Sequence, residues 1–81
     1  MTIKKSCVIK RSKLGAKGFH YPDHESRSYL IKAGAVVEEL SYVASGDDHN
    51  WKPILVDNSF IENLEVNSGK SLYWILKKYV C

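Results

Sequence analysis

Turn-forming residues recur at such short intervals in this 81-residue chain that the segments between them have the length of strands. The clearest segment is residues 71–76, where aromatic and aliphatic side chains follow one another in an extended pattern. Strands this short are not stable alone, so we expect them to pair into a meander that closes into a small barrel. The sequence therefore predicts an all-β fold with five or six strands.

The predicted strands are residues 6–12, 28–32, 36–43, 51–56, 60–66 and 71–76. Residues 13–27, with Gly15, Gly18 and Pro22, are expected to form a long loop. Pro53 lacks a backbone donor, so its part of the strand should lie at an edge or a bulge. Alternation predicts a core made of Val8, Leu30, either Val36 or Val37, Leu40, Ile54, Val56, Phe60, Leu64, Val66, Leu72, Trp74 and Leu76.

Length and composition limit the class of protein. A chain of this size has material for one core, so residues 1–81 are expected to form a single domain. The hydrophobic share of 44% and the charged share of 26% are ordinary for a globular protein. Neither a membrane-spanning run of about 20 apolar residues nor a secretory signal is present, so we expect a cytoplasmic protein without a membrane partner.

The two cysteines, Cys7 and Cys81, lie near opposite ends and outside any zinc-ligand spacing. In the cytoplasm they are expected to be independent thiols. The alternative is that the first and last strands pair, which could bring the two thiols together under oxidising conditions.

No motif in the chain predicts catalysis. Cys7 has no histidine or acid partner at a recognisable spacing, and there is no nucleophile elbow or Gly-rich phosphate loop. His20 and His24 have a spacing that would suit a metal on a helix, but Pro22 lies between them. The sequence therefore predicts a protein that is not an enzyme and that has no metal or cofactor.

Basic residues are concentrated near the N-terminus. Six lysines and arginines precede the first acid, Asp23, although the net charge of the whole chain is only +3. If the first and last strands pair, one positive patch is expected to contain Lys10, Arg11, Lys77 and Lys78. Such a patch could bind single-stranded nucleic acid, or it could protect an edge strand from aggregation.

Three segments resemble the Src-homology-3-like (SH3-like) barrels, in particular their bacterial form. Residues 31–40 resemble the strand after the RT loop, where a glycine introduces a valine-rich stretch. Residues 50–54 are similar to the strand that a tryptophan opens after the n-Src loop. Residues 78–80 resemble the closing tyrosine-valine pair, which a turn of 3₁₀ helix precedes. The order and spacing of these motifs, over about residues 28–80, carry the resemblance.

The resemblance implies a surface that binds another protein. In the eukaryotic branch a tryptophan, the closing tyrosine and RT-loop aromatics and acids form a groove for proline-rich peptides. By position, the corresponding residues on one outer face are Trp51, Tyr79, Tyr21, Asp23 and Glu25.

The chain differs from the eukaryotic branch at residues 76–77, where Leu-Lys replaces the groove proline before the closing tyrosine. A free-standing barrel of this size resembles an adaptor, a regulator or a small phage-type inhibitor of a larger protein. Non-enzymatic protein or peptide binding is therefore the expected function, and nucleic-acid binding through the basic first strand is the alternative.

Overall fold

The computed structural model describes residues 1–16, 18–41, 50–62, 64 and 68–79, which contain six strands and no α-helix. The strands are β1 (Cys7–Leu14), β2 (His20–Pro22), β3 (Tyr29–Ile31), β4 (Glu38–Glu39), β5 (Trp51–Asp57) and β6 (Lys70–Leu76). Turns of 3₁₀ helix follow β5 and β6, at Asn58–Phe60 and Lys77–Tyr79. The prediction of an all-β fold is confirmed.

The strands form one antiparallel sheet in the order β2-β1-β6-β5-β4. On the side of β1 that faces away from β6, β1 pairs with β3 as well as with β2, so β2 and β3 share one edge of β1. Two isolated bridges extend this pairing, between Thr2 and Val36 and between Ile31 and Ile61. The second bridge joins β3 to the chain that leaves β5. The sheet is thereby compatible with a small barrel-like fold.

The core lies on one face of this sheet. Its buried members are Ile3, Cys7, Ile9, Ile31, Ala35, Val37, Ile54, Val56, Ile61, Tyr73 and Ile75. Since successive strand residues point to opposite faces, β1, β3 and β6 contribute their odd-numbered positions and β5 its even-numbered ones.

The predicted core is correct in β5 and wrong in phase in β1 and β3. Ile54 and Val56 are fully buried, as expected. By contrast Val8 and Leu30 are 38% and 40% exposed, while the adjacent Ile31 is fully buried. Both faces of these strands carry apolar residues, so alternation alone does not determine which face is the core.

The phase of β6 was also predicted wrongly. Tyr73 and Ile75 face the core, whereas Leu72 and Leu76 lie on the opposite face and are half-buried. Trp74 shares that opposite face and is nevertheless fully buried. A structural role for Trp74 is confirmed, but on the other side of the sheet from the core.

Trp74 is covered by residues of the neighbouring strands. It lies opposite Lys10 of β1 and Pro53 of β5, and its indole nitrogen donates a hydrogen bond to the Ser12 hydroxyl at 3.0 Å. The fully buried Pro22 of β2 lies opposite Ser12. The predicted loop 13–27 is therefore wrong in part, because β1 continues to residue 14 and β2 lies within the loop.

Two further segments differ from the prediction. Of the expected strand 36–43, the described residues 36–41 contain only the two-residue strand β4, and residues 42–49 lie outside the described part of the chain. Val37 is the buried member of its valine pair, whereas Val36 is 64% exposed. Leu40 is half-buried, and its amide donates to the Pro53 carbonyl at 3.2 Å. Pro53 therefore has neighbours on both sides, Trp74 of β6 and Leu40, so the predicted edge or bulge is not found there. Its missing donor faces Leu40, just beyond the end of β4.

The expected strand 60–66 begins as a 3₁₀ turn. The Asp57 carboxylate accepts a hydrogen bond from the Ser59 amide at 3.0 Å, and this bond lowers the pKa of Asp57 while it caps the turn. Phe60 and the half-buried Leu64 pack against the core, whose member in this segment is Ile61. Val66 lies outside the described residues.

A buried amide connects the 3₁₀ turn after β5 to β6. The Tyr73 hydroxyl donates to Asn58 Oδ1 at 2.8 Å. Asn58 Nδ2 in turn donates to the Ser68 carbonyl at 3.2 Å and to the Ser71 hydroxyl at 3.1 Å. Burial raises the pKa of Tyr73, so the hydroxyl remains a donor at neutral pH.

The phase of β3 is tested by a pair of adjacent substitutions. Ile31→Ala removes fully buried methyl groups and is expected to lower the free energy of unfolding by about 2 to 5 kcal/mol. Leu30→Ala, on the exposed face, should cost less than about 1 kcal/mol. Urea denaturation of both variants measures the difference, and equal losses would contradict the described register.

The buried amide network is tested by removing one hydroxyl. Tyr73→Phe leaves Asn58 Oδ1 buried without its donor and is expected to cost about 1 to 3 kcal/mol in urea denaturation. Tyr29→Phe is the matched control, because no hydrogen bond of the Tyr29 hydroxyl is present within the described residues. A loss of the same size in both variants would show that the Asn58 bond contributes nothing specific.

Candidate functional site

A cleft of about 480 Å³ lies where β1 begins and β6 ends. We call it the terminal cleft. Its lining comes from the N-terminal segment, the start of β1, β3 and the 3₁₀ turn after β6, and it includes Lys4, Lys5, Cys7, Val8, Leu30, Lys78 and Tyr79.

Strand pairing explains why these distant segments meet. β1 and β6 are antiparallel, with Ile9 opposite Ile75, so the residues before β1 lie beside the residues after β6. On its other side the start of β1 pairs with β3, which places Val8 directly opposite Leu30. The cleft is therefore built from both ends of the described chain and from one internal strand.

Val8 and Leu30 give the cleft an exposed aliphatic surface. Both point away from the core, since their neighbours Ile9 and Ile31 occupy it. As cross-strand partners they form one continuous apolar spot on the outer face of the sheet.

Lysines surround this apolar spot. Lys4, Lys5 and Lys78 are all exposed, and within the described residues none of them forms an ion pair. The Lys78 ammonium lies 5.1 Å from the centre of the Tyr79 ring. The described lining contains no aspartate or glutamate, so its three lysines give the described lining a positive charge.

Cys7 also lines the cleft but is only 8% exposed. Burial raises the pKa of its thiol, so the thiolate is disfavoured at neutral pH. Cys81 lies outside the described residues, and the possibility of a bridge to Cys7 stays a prediction.

Of the predicted partner surface, the structure brings together Trp51 and the loop at residues 23–25. The rings of Trp51 and His24 meet edge to face at 5.5 Å between centroids. Beside His24, the Asp23 carboxylate accepts a hydrogen bond from the Glu25 amide at 3.2 Å, and Glu25 is exposed. Trp51 is half-buried, so part of its indole is accessible.

The other two predicted aromatic residues lie elsewhere. Tyr79 is 43% exposed and lines the terminal cleft. Tyr21 is half-buried opposite Lys13, with its ring so close to Gly15 that a Cβ at that position would lie 3.2 Å away.

The four predicted basic residues do not share one face. Lys10 lies opposite Trp74, and its ammonium donates to the Ser26 carbonyl at 3.3 Å. Arg11 projects from the other face of β1, 5.7 Å from the ring of Tyr29. Lys77 and Lys78 belong to the 3₁₀ turn after β6, a few residues beyond the positions that pair with Lys10 and Arg11. The expectation of one contiguous patch fails because neighbouring strand residues alternate between faces.

The cluster that does form is Lys4, Lys5 and Lys78, two of which were not selected from the sequence. The signal was present, since basic residues precede the first acid and the end strands were expected to pair. The exposed pair Val8 and Leu30 could not be found this way, because both were assigned to the core.

Comparison of the chain with known protein families, with curated proteins and with solved structures finds no match. Among the described residues there is no cluster of three histidine, cysteine or acidic side chains that could hold a metal ion. In the same part of the chain no helix is long and apolar enough to cross a membrane.

The state of Cys7 is tested by alkylation. In a Cys81→Ser variant at pH 8, iodoacetamide is expected to modify Cys7 roughly tenfold or more slowly in the folded protein than in urea, because the buried thiol has a raised pKa. A Cys7→Ser variant that retains Cys81 reports the reactivity of the other thiol. Equal rates in the folded and unfolded protein would contradict the burial of Cys7.

Proposed function

We propose that this chain is a non-enzymatic protein-binding module with an SH3-like barrel fold. It acts in the cytoplasm, in a bacterial or phage setting, as an adaptor, a regulator or an inhibitor of a larger protein. The observation that carries this proposal is the terminal cleft, where the aliphatic pair Val8 and Leu30 is exposed in a concave surface. Exposed apolar residues in a concavity are typical of sites that receive an anchor side chain from a partner.

Three structural features support the SH3-like assignment. The sheet is antiparallel and barrel-like, β5 begins at Trp51, and the last strand leads into a 3₁₀ turn that ends at Tyr79. These are the positions that the resemblance assigns to the tryptophan and to the closing tyrosine.

A binding role agrees better than a catalytic role with the chemistry of the cleft. Its cysteine is buried, and the raised pKa of the thiol opposes nucleophilic attack. The exposed lysines and aliphatic side chains can hold a ligand without changing it chemically.

The Trp51 surface is a second place for a partner. At this surface, a partly accessible indole lies beside acidic residues. Its members are Trp51, His24, Asp23 and Glu25. This surface differs in sign from the terminal cleft, so variants at each can tell which of the two binds.

The test is selection from a random peptide library displayed on phage, followed by fluorescence-anisotropy titration of the enriched peptides. Leu30→Ser is expected to weaken binding about tenfold or more, because it removes half of the apolar spot. Leu14→Ser, the same change at a 59% exposed position at the other end of β1, should bind like wild type. Val8→Ser provides a second cleft variant if Leu30→Ser is unstable.

Other outcomes contradict the proposal in distinct ways. Loss of binding in Trp51→Ala but not in Leu30→Ser would move the site to the Trp51 surface. Failure to enrich any peptide, together with salt-sensitive binding of a single-stranded oligonucleotide, would favour the nucleic-acid alternative.

A further inference from the structure

We propose that the terminal cleft recognises an acidic peptide segment, in which an apolar anchor residue is flanked by aspartates or glutamates. This inference rests on the proposed function, because it names the chemistry of the partner at the same site. The juxtaposition that carries it is an exposed aliphatic pair surrounded by three lysines without a described acidic partner.

The charge of the cleft is local, since the chain as a whole carries only +3. Elsewhere on the sheet Lys52 forms an ion pair with Glu39 at 3.7 Å, and Lys10 donates to a backbone carbonyl. The three cleft lysines come from two segments that strand pairing brings together. Their like charges repel one another in the free protein, and a carboxylate placed among them relieves that repulsion.

The apolar spot requires that the ligand also supply an apolar group. Val8 and Leu30 lie in register across β1 and β3, so their exposed methyl groups form a surface about the size of one large side chain. A purely ionic ligand would leave this surface in water. A leucine or an aromatic residue between acids would cover it, while the acids reach the surrounding lysines.

The same features disfavour a nucleic acid as the occupant. Single-strand binding sites use aromatic rings on which bases stack, together with a basic track along the backbone. Here the described lining of the cleft contains one ring, Tyr79, close to the Lys78 ammonium, and its other apolar side chains are mostly aliphatic. In addition, Lys10 and Arg11 leave β1 on opposite faces, so these two residues do not form a basic track together.

The experiment uses two capped nonapeptides. The first has a central leucine with two glutamates on each side and serines elsewhere, and the second has glutamines in place of the glutamates. We expect the acidic peptide to bind the protein about tenfold or more tightly than its amide counterpart, with an affinity that falls as salt is raised.

Matched triple variants locate the charge effect. The first variant combines Lys4→Gln, Lys5→Gln and Lys78→Gln. It should no longer prefer the acidic peptide. The control is a second triple variant that changes the net charge by the same amount at exposed positions outside the described cleft lining: Lys13→Gln, Lys32→Gln and Lys70→Gln. This control should keep the preference for the acidic peptide. In a third peptide, serine replaces the central leucine of the acidic peptide. This peptide should bind the wild-type protein more weakly than the acidic peptide does.

Each remaining outcome overturns the inference. Equal affinity for the two peptides, or equal losses in the two triple variants, would show that the cleft lysines do not select acids. If library peptides bind in a manner that depends on Leu30 but are not acidic, the proposed function stands and the inference fails. Displacement of the acidic peptide by an oligonucleotide with higher affinity would assign the lysines to phosphate instead.

Discussion

The antiparallel pairing of β6 with both β1 and β5 is the interaction on which the rest of this structure depends. Seven residues of β6 pair with β5, while β1 occupies its other side. This central position fixes the orientation of Tyr73 towards the core and of Trp74 towards the outer face. It also places the start of β1 beside the end of β6, and without that arrangement the terminal cleft would not exist.

Burial on both faces of the sheet gives a small protein more stabilising contacts than a single core could. The inner face has the aliphatic core and the satisfied hydrogen bond between Tyr73 and Asn58. On the outer face Trp74 is fully buried between its cross-strand neighbours in β1 and β5, and its indole nitrogen donates to Ser12. Fully burying a large apolar side chain contributes about 1.5 to 3 kcal/mol. The outer contribution matters, because a domain of this size buries a modest fraction of its surface.

This double burial also explains which features the sequence could predict. Strand existence followed from turn spacing, and the segments around β1, β3, β5 and β6 were found within a few residues. The sequence predicts the wrong inward face for β1, β3 and β6. In these strands adjacent residues such as Leu72 and Tyr73 are both apolar, so the alternation of apolar and polar residues does not indicate which face points to the core. The 3₁₀ turn at Asn58–Phe60 depends on a side-chain cap and on a buried amide network, which period-two patterns do not report. The same loss of phase hid the exposed pair Val8 and Leu30.

Basic residues around a first strand are often explained as protection of an exposed edge against aggregation. That explanation does not apply to β1, which pairs with β6 on one side and with β2 and β3 on the other. On the side of β2 and β3 six of its eight residues are paired, and on the side of β6 its central residues Ile9 to Arg11 are paired, so β1 is not an edge strand. Lys4 and Lys5 instead lie beside an apolar spot that remains exposed to water. If this surface receives an acidic segment, as proposed, the same ammonium groups that repel one another in the free protein would attract the partner, because opposite charge relieves their repulsion.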